Sequence, residues 1–169
     1  MTPSAPQDAT TPRDPARRMV AEVVIDASPE QVWTVLTDLR VLADASPELV
    51  TMVPLRPGGL RAGQRYVGIN RRGVVFWPTL NRVDVVEAPQ QLVWTTTTSA
   101  SQWGFTLEPQ GSGTRVVQTR TTSKPLGGFS ALFSKVLLGG VGSHADELED
   151  GMGTTLDHLR VVAEVGRTV

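Results

Sequence analysis

The first regular pattern in the chain is a Val-rich run from Met19 to Asp26, which predicts a strand stopping at Ala27-Ser28-Pro29-Glu30. Ser28 before Pro29 marks a helix start, because a Ser oxygen can cap an orphan N–H and Pro at the first helical position gives up no hydrogen bond. Val32, Trp33, Leu36 and Leu39 then recur at helical spacing. A helix is predicted from Pro29 to about Asp38, and a second short one near Arg40 to Ala45, ending before Pro47. From Thr51 to Thr122 the pattern changes to short strands separated by Pro57-Gly58-Gly59, Arg72-Gly73, Ala88-Pro89 and Gly111-Ser112-Gly113. The predicted strands are 50–56, 64–71, 74–87, 91–98, 102–109 and 114–122. Their connections are too short for parallel crossovers, so they form an antiparallel meander.

After Pro125 the helical period returns. Phe129, Leu132, Phe133, Val136 and Leu137 form one apolar stripe; Ala145, Leu148, Met152, Leu156, Leu159 and Val162 form another, with Gly139-Gly140 between them. Ser143 is the expected N-cap of the final helix, with Asp146 three residues on. The Gly residues on either side of the first stripe suggest that residues 127–142 are either a cover over a cavity mouth, hinged at Gly139 and Gly140, or a fixed helix bounded by Gly turns. The sum is an α+β fold in which a curved antiparallel sheet of about seven strands wraps around one long C-terminal helix. The high Val and Thr content, 23 and 19 residues, supports that much sheet.

Residues 1–17 hold four Pro and no large apolar side chain beyond Met1, so they are read as a disordered tail ahead of a single domain at 18–166. Deleting them is expected to leave the melting temperature unchanged, and a drop of several degrees in a thermal scan would show that the tail docks. The absence of Cys excludes disulfides, thiolate metal sites and a Cys nucleophile. A net charge of -1 gives no general footprint for nucleic acid. No apolar run approaches the roughly 18 residues of a membrane span, so the expected location is cytoplasmic, without stable membrane insertion.

Strand alternation groups the chemistry-bearing residues on one face. Trp103, Phe105 and Leu107 alternate on one strand and Trp94 joins them from its neighbour. Tyr66, Gly68 and Asn70 alternate on another strand, Trp77, Thr79, Asn81, Val83 and Val85 on the next, and Thr114, Val116, Gln118 and Arg120 on the last. A dry core does not tolerate Asn70, Asn81, Gln118 and Arg120 without partners, whereas a cavity with a polar ligand does. With Phe129, Phe133 and Met152 from the helical segments, this set forms the expected ligand-binding surface. His144, Tyr66 and Arg120 are the inward candidates for proton transfer. His158 and the cluster of Asp146, Glu147, Glu149 and Asp150 read as surface features of a helix. Gly140-x-Gly142-x-x-Ala145 mimics a dinucleotide fingerprint but lacks the parallel βαβ context. No metal site and no cofactor are expected. Between Leu49 and Val83 stand six Arg and no acid, a basic strip able to steer an anionic ligand or partner.

The segment Val23-Val24-Ile25-Asp26-Ala27-Ser28-Pro29-Glu30-Gln31-Val32-Trp33, with Gly68 to Gly73, Trp77, Trp103 to Pro109 and Gly113 to Val116, resembles the START-like (SRPBCC) superfamily of polyketide cyclase/dehydrase and lipid-transport proteins. The resemblance covers about residues 19–163. Ser46-Pro47-Glu48 is similar to a triplet in an actinobacterial branch, which carries a Trp where this chain has Ala45, so a cavity wall is expected to be missing there. The resemblance implies a helix-grip fold enclosing an apolar cavity, and either a binding protein for a hydrophobic or aromatic small molecule or an enzyme of the cyclase, aromatase or dehydratase kind. A regulatory or interaction protein using the Arg strip is the third reading.

Overall fold

A computed structural model describes residues 18–122 and 141–166, with the side chains of 141–148 left out of the description. The elements in order are β1 (Met19–Ile25), α1 (Pro29–Thr37), α2 (Leu39–Ala45), β2 (Leu49–Pro54), β3 (Arg65–Arg72), β4 (Val75–Glu87), β5 (Gln91–Thr96), β6 (Ser101–Gln110), β7 (Gly113–Thr122) and α3 (Val141–Val165). The strands form one antiparallel sheet in the order β1-β7-β6-β5-β4-β3-β2. Strands β2 to β7 are thus a plain meander, as their short loops require. The first strand closes on the last, and the two short helices span the concave side between β1 and β2. Residues 1–17, the proposed cover with Phe129 and Phe133, and the hinge at Gly139 and Gly140 lie outside the described residues.

Local sequence explains the helix ends. Ser28 Oγ accepts from the Gln31 N–H at 3.4 Å while Gln31 Oε1 accepts from the Ser28 N–H at 3.0 Å, so the cap is reciprocal, with Pro29 at the first helical position. Asp38 ends α1 and caps α2 by accepting from the Arg40 N–H at 2.9 Å. The start of α3 differs from expectation. The helix already runs from Val141, so Ser143 lies inside it and is not its cap.

The core lies between the concave face and the helices. Ile25, Leu92, Phe105, Leu107 and Val116 from the sheet meet Val32 and Leu36 of α1 and Leu156, Leu159 and Ala163 of α3. Ala163 takes the buried position expected of Val162, which is only half-buried. Two long-range hydrogen bonds tie α3 down: Glu164 Oε1 accepts from the Asp26 N–H at 3.0 Å, and the buried Thr155 hydroxyl donates to the Ala45 carbonyl at 3.3 Å. Ala45 is buried, and Gly151 of α3 faces Pro47 just beyond α2, where an added Cβ would lie 3.4 Å from Pro47 Cγ.

The expected register holds on β3, β6 and β7, where Tyr66, Phe105, Leu107, Thr114, Val116 and Gln118 are all buried. On β4 it holds only as far as Val83. An irregularity between Val83 and Val85 puts one extra residue opposite β5, so that Val85 pairs with Val93 and Val86 with Leu92. Because side chains alternate with a period of two, the insertion turns Val85 outward and brings Val86 onto the core in its place.

Candidate functional site

The concave face has two chemically different ends. At the end near Ile25, Leu92, Leu107 and Val116 it is apolar. The other end, formed by the start of β4 and β6 and the close of β3, β5 and β7, carries a row of polar side chains. Asn70 Nδ2 donates to Thr79 Oγ1 at 3.1 Å, Asn81 Nδ2 donates to the same oxygen at 3.3 Å, and the Thr96 hydroxyl donates to Asn81 Oδ1 at 2.7 Å. Thr96 lies opposite Ser101, and Ser101 lies opposite Thr122, with 3.4 Å between the two hydroxyls. The row therefore crosses from β3 to β7 as two bonded groups, Asn70–Thr79–Asn81–Thr96 and Ser101–Thr122, whose hydrogen bonds offset their desolvation.

Arg120 ends the row on β7. Its Nη2 donates to Ser101 Oγ at 3.1 Å, its Cζ lies 5.5 Å from the centroid of the Trp103 ring, and Nη1 lies 3.7 Å from Met19 Sδ. A guanidinium over an indole face is electrostatically favourable, the more so where water is excluded. Burial pushes the Arg120 guanidinium below its usual value, and the charge of Glu48 partly opposes this. Two buried polar atoms on β7 make no hydrogen bond: Arg120 Nε and Gln118 Oε1. They belong to residues two apart on the same face of one strand. Gln118 is 4% exposed and pairs in register with Phe105, whose ring stacks on Trp94 at 5.8 Å between centroids and 22° between planes.

Tyr66 stands elsewhere. With Leu36, Leu42, Met52, Asn81 and Trp94 it helps line an apolar recess of about 20 Å³ beneath α1 and α2, room for a single water-sized molecule. Its hydroxyl lies 3.4 Å from the Gly59 carbonyl, and burial pushes the phenol up, opposed by the charge of Arg61. A phenol so raised keeps its proton at neutral pH. Strands β4, β5 and β6 separate Tyr66 from Arg120 in the order of the sheet. His144 is in α3, but its side chain is not among those described. Trp77 is half-buried opposite Asn70, and Met152 is buried against Met19 and Trp103. His158 is half-buried on α3. Among the described residues no three His, Asp or Glu side chains gather as metal ligands, and no helix is long and apolar enough to cross a membrane.

A family model described as "Polyketide cyclase / dehydrase and lipid transport" matches residues 16–164. The chain belongs to that family. Solved structures agree on the fold. The Zhui aromatase/cyclase from Streptomyces sp. R1128 superposes with a TM-score of 0.69 at 17% identity, covering 88% of this chain and 93% of that one. Protein NE0264 from Nitrosomonas europaea gives 0.66 at 18% identity, covering 92% and 99% of the two chains, and TTHA0849 from Thermus thermophilus gives 0.65 at 19%, covering 89% and 99%. At such identities the likeness establishes the helix-grip architecture. No curated protein matches the chain in sequence.

Within this polyketide cyclase/dehydrase fold, sequence alternation brings most of the expected inward residues together and misses Thr96, Ser101 and Thr122. The signal for them is the same alternation carried one step further: Thr96 follows Leu92 and Trp94 on β5, and Ser101 precedes Trp103 on β6. Glu48 has no such signal, because it precedes β2, far from β7 in the order of the sheet, and its charge acts on Arg120 through space.

Proposed function

We propose that the protein binds a hydrophobic or aromatic small molecule carrying a polar group, seated against the polar end of the concave face. One observation carries the reading: Gln118 Oε1 and Arg120 Nε are buried side by side on β7 without hydrogen-bond partners. Each idle buried group costs about 1–3 kcal/mol, and natural folds leave few of them. A ligand that donates to the amide oxygen and accepts from the guanidinium recovers that loss. Trp103, half-buried beneath Arg120, offers an aromatic surface beside them. The recess under α1 and α2 has room for only one water-sized molecule, so the reading rests on the β7 side of the concave face. Asn70, Thr79, Asn81 and Trp77 belong to the same polar end, while Phe105, Trp94 and Met152 supply apolar walls.

Native mass spectrometry of the purified chain tests this directly, with a retained small molecule as the expected result. A panel of sterols, fatty acids and aromatic polyketides tests it in trans. A binder at 100 times its dissociation constant should stabilise the fold by roughly 2.7 kcal/mol and change Trp emission. No retained mass and no shift across the panel would overturn the proposal.

A further inference from the structure

The convex face of the sheet is uneven. Over β1, β7 and β6 its charges are mutually paired: Arg115 forms ion pairs with both Glu22 and Glu108. Over β2, β3 and β4 the outward positions are largely aliphatic, with Val53 opposite Val67, Val67 opposite Leu80 and Ile69 opposite Pro78. Arg71 closes this patch at one end, its Cζ 5.9 Å from the centroid of the Phe76 ring, and Arg65 closes it at the other. Arg82, which faces Arg65, is neutralised by Asp84 at 2.9 Å, and no acid occurs from Leu49 to Val83. At the Arg71 end the β3–β4 hairpin projects a two-residue tip. Gly73 supplies the positive φ of 58° that the tight turn needs, which leaves Val74 at the apex 94% exposed and Phe76 behind it 58% exposed.

We propose that this hairpin and the patch behind it dock the protein peripherally on an anionic bilayer. An aliphatic apex at the end of a narrow hairpin has no flat partner to cover it, whereas the acyl boundary of a bilayer admits such a tip and leaves the rest of the domain outside. Arg71 sits directly behind the apex, where a long stem lies along apolar surface and its charge reaches phosphate headgroups. A second copy of this chain is the poorer occupant. A two-fold contact through this face would set Arg65 and Arg71 against the same arginines of the other copy. The hairpin tip also stands at the polar end of the concave face, three residues beyond the Asn70–Trp77 pair. Docking there places the ligand-contacting end nearest the lipid, although the docking itself does not depend on any ligand.

Sedimentation of the full chain with vesicles of phosphatidylcholine, with and without phosphatidylglycerol, tests the proposal. Binding is expected only with the anionic lipid, weakened by salt. Val74→Asp, at an exposed position with no packing to lose, should reduce it about tenfold or more, since burial of a Val side chain accounts for at least that factor. Arg71→Gln should reduce it roughly five-fold. Three results would overturn the proposal: no binding by wild type, equal binding to both lipids, or unchanged binding by Val74→Asp with its melting temperature intact. Self-association lost in Val74→Asp, without vesicle binding, would assign the face to a second copy instead and equally overturn it.

Discussion

Replacing Phe105 with Ala is expected to remove about 3–5 kcal/mol of folding stability, the range for emptying a well-packed aromatic site. Phe105 is 0% exposed at the centre of β6, where Leu92 and Gln118 are its partners in register and Trp94 stacks on its ring. Its neighbours in register belong to the adjacent strands β5 and β7, and its core cluster includes Val32 and Leu36 of α1 and Leu156 of α3. Against a total of about 5–15 kcal/mol for an ordinary domain, the loss is a large fraction. It should lower the melting temperature by about 10 °C or more for a chain of this size. Thermal unfolding followed by circular dichroism measures it, and Trp94 emission should change in the native baseline because its stacking partner is gone. A loss below about 1 kcal/mol would mean that the face assigned to the core is not the one that holds the fold together.

The fold was legible because its signals are local and redundant. Ser28-Pro29 starts a helix on its own chemistry, Gly73 and Gly111 mark turns by their positive φ, and the alternation of Trp103, Phe105 and Leu107 places a whole strand face without knowledge of its neighbours. Where two signals disagreed, one step was lost. A single inserted residue after Val83 exchanges Val85 for Val86, and nothing in a run of Val-Asp-Val-Val marks which of them is the extra one. The site was less legible because it depends on which polar residues find partners. Asn70, Asn81, Gln118 and Arg120 look alike as inward polar residues, yet Asn70 and Asn81 are satisfied through Thr79 and Thr96, whereas Gln118 and Arg120 each keep an idle atom. Pairing of this kind is a property of neighbouring strands, and sequence periodicity carries no information on it. Tyr66 shows the converse. Its inward position was foreseen, but its company under α1 and α2 follows from how the sheet curls.

That difference between satisfied and idle groups yields the most telling substitution. Gln118→Leu removes the unpartnered amide oxygen and fills nearly the same volume with hydrocarbon, between Phe105 on one side and Ala21 on the other. An ordinary buried Gln whose amide is fully bonded would lose stability when replaced in this way. Here the desolvation cost of Oε1 is relieved with no hydrogen bond to give up at that atom, so the folded state should gain about 1–3 kcal/mol, seen as a rise of several degrees in melting temperature. The same change should weaken or redirect binding of any panel compound that wild type accepts, because the acceptor on β7 is gone while the walls at Phe105 and Trp103 remain. Gain in stability joined to loss in binding is what a group kept for function produces. If Gln118→Leu destabilised the chain and left binding untouched, the amide would be a structural member of the core, and β7 would lose its place in the proposed site.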